Sequence, residues 1–222
     1  MNNRILAIFG ASGQGKEVRD IAGYQNDVDN IWNTMIFVDD VKDEGYFKDL
    51  ECLHLDTAIN KYGDDLEFVI ALGEPTSKKK VYERLIGMGL NLTNVISPDS
   101  QISKYAVLGK GLIVKKGAII SSDAVIGDNT TIQSYACVGH DAVIGKHCQI
   151  STHVDIGGAT ILGEGVFVGL NAPIREKINV GDYAIISAGA AVLRDIEPNV
   201  TVMGNPARVI SRNNSDTKVF GR

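Results

Sequence analysis

Aliphatic side chains recur at every sixth position through the second half of the chain. Residues two apart on a strand face the same side, so the small residue that mostly precedes each aliphatic position by two also points inward. The rest of each hexad must turn a corner, and Gly directly follows the aliphatic residue in eight cases. A strand and a corner every six residues predict triangular coils of eighteen residues, about five of them, stacked as a parallel β-helix. The positions are Ile96, Ile102, Leu108, Val114, Ile120, Ile126, Ile132, Val138, Ile144, Ile150, Ile156, Leu162, Val168, Ile174, Val180, Ile186 and Val192.

The first half of the chain alternates between apolar runs and segments with helical spacing. This alternation predicts a small parallel sheet with short links, a Rossmann-like α/β domain that is too small for a complete dinucleotide fold. In the second helix we expect Val81, Leu85 and Met88 on the buried side and the three lysines 78–80 mostly outside. The expected strands are Arg4–Phe9, Met35–Val38 and Phe68–Leu72, and the expected helices are Lys16–Tyr24 and Ser77–Met88.

The two patterns divide the chain into three parts. We expect the α/β domain over residues 1–94, the β-helix with its closing segment over 95–210, and a polar tail over 211–222. The tail shows no pattern that predicts a helix or a strand.

Composition narrows the class of protein. The chain carries 22 Lys and Arg against 27 Asp and Glu, a net charge of −5, which argues against nucleic-acid binding. Apolar runs such as Ile5–Phe9 are too short to cross a bilayer, and no secretory signal is recognisable, so we expect a cytoplasmic protein without membrane insertion. The three cysteines form no CxxC pair, which indicates neither a disulfide framework nor a zinc ribbon.

Two motifs follow the first two predicted strands. In Gly10-Ala-Ser-Gly13-Gln-Gly15 the glycines allow backbone N–H groups to approach a phosphate at the start of a helix. The spacing is GxxGxG rather than GxGxxG, so a tight turn without a ligand is the alternative. Asp39 and Asp40 end the second strand, where carboxylates bind ribose hydroxyls in related folds, with a solvated turn as the alternative.

Taken together, these features resemble a known family. They are the hexad repeat, the closing segment Val202-Met-Gly-Asn-Pro-Ala-Arg208, the glycine turn, the Asp pair and the Ala71-Leu-Gly73 strand end. They are similar to the hexapeptide-repeat acyltransferases, and within these to the sialic acid O-acetyltransferase and bacillosamine-pathway nucleotide-sugar N-acetyltransferase family. The resemblance extends to about Ile210. It implies a left-handed β-helix, a homotrimer, acetyl-CoA in grooves between subunits and a nucleotide sugar on the α/β domain.

The resemblance also implies site residues. Many members of the family have His where this chain has Gln14, a side chain that hydrogen-bonds but does not protonate, so the sugar preference stays open. The expected acetyl-CoA contacts are Gln149, Ala188 and Gly158, with the Gly158 amide near the thioester. The expected nucleotide-sugar contacts are Gly10, Ser12, Gly13, Gln14, Asp39, Asp40, Gly73 and Thr76.

His140 is the candidate catalytic residue. It stands two positions after a core residue, beside a corner and outside the prism, where it can face the groove of a neighbouring subunit. In the family that the chain resembles, a His followed by Asp or Glu is the general base, and Asp141 would hold the imidazole in one tautomer. A surface histidine without a catalytic role is the alternative.

The histidines near this position are also candidates for a metal site. His140, His147 and His153 lie within fourteen residues, and trimeric prisms of this shape hold zinc in γ-class carbonic anhydrases. His147 and His153 are one hexad apart, on adjacent sides of the triangle, so they do not converge within one chain. We therefore expect no metal, and expect these two histidines to be exposed at corners.

The sequence thus predicts an acetyl-CoA-dependent N-acetyltransferase acting on a nucleotide-linked amino sugar in surface glycan biosynthesis. The expected acceptor is a UDP-4-amino-4,6-dideoxy sugar. One alternative is O-acetylation of a sialic acid or a related sugar hydroxyl. The other is a non-catalytic trimeric scaffold that binds a nucleotide sugar, against which the His140-Asp141 pair argues.

Overall fold

A computed structural model of the chain describes residues 3–214 and 217–220. The α/β part is a six-stranded sheet in the order β3-β4-β2-β1-β5-β6, parallel except for the β3–β4 pair. No helix of the described residues is long and apolar enough to cross a membrane. The elements are β1 (Ile5–Phe9), α1 (Gly13–Asp29), β2 (Thr34–Val38), β3 (Gly45–Phe47), β4 (Leu50–Leu53), α2 (Leu55–Tyr62), a 3₁₀ turn (Gly63–Asp65), β5 (Leu66–Ile70), α3 (Pro75–Gly87) and β6 (Asn91–Leu92).

The sheet follows from continuous apolar runs. Every residue of β1 is buried, as expected for a central strand covered on both faces. Its neighbours are β2 on one side and β5 on the other, both in parallel register. The hairpin of β3 and β4, the helix α2 and the short strand β6 were not predicted, because each is too short for a periodic pattern to stand out.

One face of α3 differs from the prediction. Leu85 is fully buried as expected, but Met88 follows the helix and is 48% exposed. Lys78, expected outside, is fully buried, because α3 lies between the sheet and the β-helix and both of its sides are covered.

The second part is a triangular prism of short parallel strands. Strands one coil apart pair at a spacing of eighteen residues, for example Ile113 with Thr131. The inward positions of the hexads form one continuous core, with Ile and Val stacked along the axis. The strands are β7 (Val95–Ile96), β8 (Gln101–Ile102), β9 (Val107–Leu108), β10 (Ile113–Val114), β11 (Ile119–Ile120), β12 (Val125–Ile126), β13 (Thr131–Ile132), β14 (Cys137–Val138), β15 (Val143–Ile144), β16 (Gln149–Ile150), β17 (Asp155–Ile156), β18 (Ile161–Leu162), β19 (Phe167–Val168), β20 (Pro173–Ile174), β21 (Asn179–Val180), β22 (Ile185–Ile186), β23 (Val200–Met203) and β24 (Arg208–Arg212).

The prism has three faces. The first face contains β7, β10, β13, β16, β19 and β22, continued by β23 and β24; the second contains β8, β11, β14, β17 and β20; the third contains β9, β12, β15, β18 and β21. Cys137 is half-buried on the outer side of the second face, because Ala136 and Val138 on either side of it fill the core.

The α/β part packs on the first face and its edges. Lys78 of α3 donates to the Thr131 hydroxyl of β13 at 2.8 Å, and Glu17 of α1 accepts from Lys115 at 2.5 Å. His147, expected to be exposed, is only 3% exposed, because the Tyr82 ring of α3 packs edge-on against it at 4.8 Å. The helix therefore covers a corner that the hexad pattern alone leaves open.

The end of the chain returns to the α/β part. After β24 the described residues 217–220 lie against the start of α3. Residues 1–2, 215–216 and 221–222, the last two pairs being part of the predicted polar tail, lie outside the described residues.

Candidate active site

The carboxyl ends of β1 and β5 form a crevice at the point where the chain changes direction across the sheet. From β1 the chain passes to β2 on one side and later to β5 on the other. Ligands of open α/β sheets bind at such a switch point. We call this place the acceptor crevice; it is bounded by residues 10–14 after β1 and by residues 71–76 after β5.

Two glycines of the first turn are required by its geometry. Gly10 has a φ of +110°, and its N–H donates to the Val38 carbonyl at 2.8 Å. A Cβ on Gly15 would lie 2.0 Å from the Gly10 carbonyl oxygen, so only glycine lets α1 start this close to the turn. A Cβ on Gly13 would meet nothing within 4 Å, which leaves the first turn of α1 open to a ligand.

Ser12 and Gln14 stand at the opening of this crevice. Ser12 occupies the N-cap position of α1, is exposed, and its side chain makes no capping hydrogen bond. The first N–H groups of a helix have no acceptor within the helix, so they are available to an anionic group. Gln14 is half-buried, and its Nε2 is fully buried without a partner among the described residues. An unpaired buried donor is costly, and a ligand oxygen would satisfy it.

The two aspartates bind parts of the protein itself. The Asp39 carboxylate accepts the Ala11 N–H at 2.8 Å and the Val41 N–H at 3.0 Å, which ties the glycine turn to the end of β2. Asp40 accepts the Leu55 N–H at 2.8 Å, and its carboxylate pairs with Arg84. Burial by itself raises the pKa of this carboxyl, but the Leu55 N–H and then Arg84 hold the pKa below its ordinary value. Both side chains thus organise the walls of the crevice, and ribose binding by either stays a prediction.

Gly73 and Thr76 form the other wall. Gly73 follows β5, and a Cβ on it would lie 3.2 Å from Gln14 Oε1, so the two walls nearly touch here. Thr76 lies in the first turn of α3, and its hydroxyl is 3.5 Å from Glu74 Oε1. Six of the predicted acceptor residues therefore border one crevice, while Asp39 and Asp40 support it from behind.

His140 lies at the corner between the second and third faces, after β14. Its Nδ1–H donates to Asp141 Oδ2 at 2.7 Å, and because a carboxylate only accepts, this bond leaves Nε2 with its lone pair. The imidazole is 71% exposed and points away from the prism. Asp141 has a φ of +59°, a conformation that Asp tolerates better than most residues.

Gly158 lies directly beneath this imidazole, one coil further along. A Cβ on Gly158 would lie 2.6 Å from His140 Nε2 and 2.8 Å from Cε1, well inside van der Waals contact. The Gly158 N–H has no acceptor among the described residues. The contact of Gly158 with acetyl-CoA stays a prediction. The structure adds a second reason for glycine at this position, because any larger side chain would collide with the His140 imidazole.

The other two predicted acetyl-CoA residues lie elsewhere. Ala188 is exposed at the corner between the first and second faces, across the second face from the corner of His140. Gln149 is only 3% exposed on β16, under the α/β part, and its Oε1 has no partner among the described residues. The structure therefore does not bring Gln149 together with His140 in one chain.

A buried polar cluster beside Gln149 was not predicted. Asn129 donates from Nδ2 to the Lys78 carbonyl at 3.1 Å and to His147 Nδ1 at 2.9 Å. Burial lowers the pKa of Lys78 to about 7 and that of His147 to about 4. Burial also raises the pKa of Cys148 to about 12, so this thiol stays protonated. No local signal marks Lys78, Asn129 or His147 as buried, because they stand at polar positions of their helix and hexads. Cys148 differs, since it stands two positions before Ile150, where the hexad pattern predicts an inward side chain.

Among residues 3–214 and 217–220, no group of three or more His, Cys, Asp or Glu side chains is placed to hold a metal ion. His140, His147 and His153 project from different corners or depths of the prism: His147 is buried, whereas His153 is exposed and stacks on Tyr135 at 5.3 Å.

Two family models match the chain, one in the α/β part and one in the prism. A model described as the PglD N-terminal domain matches residues 5–85, and one described as the GMPPB C-terminal domain matches residues 89–182. Among curated proteins, 2,3,4,5-tetrahydropyridine-2,6-dicarboxylate N-acetyltransferase of Alkaliphilus metalliredigens is 43% identical over 53 residues. That match covers 24% of this chain, and it spans only about a fifth of the relative's length (22%).

Solved structures match over nearly the whole chain. The acetyltransferase domain of PglB from Neisseria gonorrhoeae, solved with acetyl coenzyme A, is 28% identical, with a TM-score of 0.87 over 94% of this chain and 100% of that one. PerB from Caulobacter crescentus, solved with CoA and GDP-perosamine, is 26% identical, with a TM-score of 0.83 over 93% of this chain and 97% of that one. Both parts of the fold are therefore shared, in the same arrangement.

Proposed function

We propose that the chain is a member of the hexapeptide-repeat acyltransferases that include the bacillosamine-pathway nucleotide-sugar N-acetyltransferases, and that it acetylates the amino group of a nucleotide-linked amino sugar. Acetyl-CoA is the donor, and the prism is the left-handed β-helix of this family. The acceptor we favour is a UDP-linked 4-amino-4,6-dideoxy sugar of surface glycan biosynthesis. The observation that carries the proposal is the exposed His140–Asp141 pair, seated over a glycine.

The proton transfer follows from the tautomer of His140. The sugar nitrogen attacks the thioester carbonyl carbon and must lose a proton as the C–N bond forms. His140 Nε2 accepts that proton, and the resulting imidazolium is stabilised by Asp141, 2.7 Å from Nδ1. When the tetrahedral intermediate collapses, the C–S bond breaks and the departing CoA thiolate takes the proton from Nε2. The histidine therefore returns to its starting state, and no covalent enzyme intermediate is needed.

The developing oxyanion needs a hydrogen-bond donor. The Gly158 N–H stands beside the imidazole, with no acceptor among the described residues. A backbone donor that is already oriented costs no reorganisation when the negative charge appears on the carbonyl oxygen. We therefore assign Gly158 two roles, room for the imidazole and stabilisation of the oxyanion.

The acceptor crevice and His140 lie on different sides of one prism. The α/β part covers the first face, whereas His140 lies at the opposite corner, where the second and third faces meet. A sugar held in the crevice therefore reaches the His140 of another copy of the chain. This geometry supports a trimer in which each active site combines the crevice of one subunit with the histidine of its neighbour.

The function is tested by release of free thiol from acetyl-CoA. The acceptors are a UDP-linked 4-amino-4,6-dideoxy sugar, GDP-perosamine and free sialic acid, assayed separately. We expect release with an amino-sugar nucleotide, loss of at least about 100-fold in His140→Ala, and unchanged nucleotide-sugar binding by calorimetry. His153→Ala, which removes an exposed histidine from another corner, is the matched control.

Each other result points to a different function. Release with sialic acid alone would show O-acetylation. Binding of the nucleotide sugar without turnover in the unmodified protein, for every acceptor, would point to the scaffold.

The proposal that each active site combines residues of two subunits is tested by mixing two inactive variants. His140→Ala lacks the base, and Gly73→Trp fills the acceptor crevice, where a Cβ already lies 3.2 Å from Gln14 Oε1. After subunit exchange at equal amounts, about a third of the sites in mixed trimers, or about a quarter of all sites, combine an intact histidine with an intact crevice. Recovered turnover supports a site between subunits, and no recovery in verified mixed trimers contradicts it.

A further inference from the structure

The last described residues of the chain lie over the acceptor crevice. Glu74 Oε2 accepts the Val219 N–H at 2.9 Å and the Phe220 N–H at 3.3 Å. Glu74 occupies the N-cap position of α3, but its side chain makes no capping bond to its own helix. One carboxylate thus holds two consecutive backbone groups of the chain end at the wall of the crevice.

The Phe220 side chain reaches the switch point of the sheet. A Cβ on Gly73 would lie 3.1 Å from Phe220 Cε2, so the aromatic ring rests on Gly73. On its other side the ring packs edge-on against Phe167 of the prism, with centroids 5.5 Å apart. The ring therefore lies between Gly73 of the α/β part and Phe167 of the first face, at the edge of the acceptor crevice.

The crevice beneath the ring contains the unpaired donor. Gln14 Nε2 is buried without a partner, and Gln14 Oε1 is close to the same face of Gly73. The Phe220 ring at this place carries no carbonyl or carboxylate oxygen that could accept from the amide. A ligand oxygen would satisfy the amide, so the arrangement favours exchange of the ring for a polar ligand.

The chain end is held lightly enough to be exchanged. Phe220 remains 61% exposed, and Lys218 is exposed, with its Nζ 3.5 Å from the Thr76 hydroxyl. Thr217, Lys218 and Val219 also form one wall of a cavity of about 440 Å³ against α3. A segment with so few buried contacts opens at low free-energy cost.

We propose that residues 217–220 form an autoinhibitory strap that occupies the entrance of the acceptor crevice and is displaced by the acceptor. The strap raises the apparent Kd for the nucleotide sugar, which equals the intrinsic Kd divided by the fraction of molecules in which the crevice is open. The strap contacts Glu74, Gly73 and Phe167, which lie at or beside the acceptor crevice, so we expect it to act on acceptor binding rather than on the chemical step. The inference rests on the acceptor crevice of the proposed function.

Kinetics of the full-length protein give the first test. In Phe220→Ala we expect KM for the nucleotide sugar to fall by about three- to tenfold, as for a crevice open in roughly a tenth to a third of molecules, with kcat and KM for acetyl-CoA unchanged. Val219→Ala is the matched control, since it keeps both N–H bonds to Glu74 and leaves the ring in place. Equal KM values in Phe220→Ala and the unmodified protein would overturn the proposal.

Proteolysis tests the strap independently of turnover. Trypsin cleaves after Lys218, and the released peptide that begins at residue 219 is quantified by mass spectrometry. We expect release about three- to tenfold faster in Phe220→Ala than in the unmodified protein, at equal global stability. Faster release in Phe220→Ala, with no turnover on any acceptor, would support the strap and contradict the proposed function. Equal release rates in the two proteins, with normal turnover, would contradict the strap and leave the proposed function unaffected.

Discussion

Replacing Gly158 by alanine tests the catalytic arrangement most directly. The new Cβ would lie 2.6 Å from His140 Nε2 and 2.8 Å from Cε1, where carbon contacts normally begin near 3.5 Å. The imidazole must therefore shift by about 1 Å, and a misplacement of that size costs on the order of 100-fold in rate, about 2.7 kcal/mol. Because Gly158 has no positive φ and lies at an outer corner, the fold itself tolerates alanine.

The assay is steady-state thiol release with saturating acetyl-CoA and a varied amino-sugar nucleotide. We expect kcat of Gly158→Ala to fall by about 100-fold, with the melting temperature within about 2 °C of the unmodified protein. Glu176→Ala is the control, because residue 176 occupies the same corner one coil further on. A kcat within about threefold of the unmodified value would refute the role of His140 as a base positioned over Gly158.

Three further predictions concern stability, each read from the free energy of unfolding in urea. Gly15→Ala places a Cβ 2.0 Å from the Gly10 carbonyl oxygen and should destabilise the protein by about 2–4 kcal/mol, whereas Gly13→Ala, with open space, should change stability by under about 1 kcal/mol. Burial lowers the pKa of Lys78 to about 7, so the unfolded state binds the extra proton between pH 7 and about 10.4; stability should rise with pH across that window, and Lys78→Met should remove the rise. Burial lowers the pKa of His147 to about 4, so stability should fall as the pH drops from about 6.5 to 4, and a slope that His147→Gln leaves unchanged would contradict this.

Some of the site was accessible from sequence because it depends on local spacing. His140 is at a corner because it stands two positions after an inward residue of an unbroken hexad, and the period places Gly158 one coil of eighteen residues away. Gly10, Gly13 and Gly73 border one crevice because the carboxyl ends of β1 and β5 are neighbours in the sheet. These relations need no knowledge of side-chain packing.

The burial of two polar side chains and the partners of Asp39 depended on which surfaces pack together in the folded chain. Lys78 and His147 occupy polar positions of their local patterns, and only the packing of α3 on the first face buries them. Asp39 has the spacing of a ribose ligand, yet its carboxylate accepts backbone N–H groups that folding brings to it.

The sequence by itself determined the prism, its corners and the position of the His140–Asp141 pair, because a period of six repeats one local geometry seventeen times. Only the tertiary structure decided which face the α/β part covers, and that the Phe220 ring rests on Gly73. The physical reason is that periodicity determines the direction of each side chain within its own element. The partner that buries it comes from residues far away in the chain, such as Glu74 and Val219, whose separation follows no period.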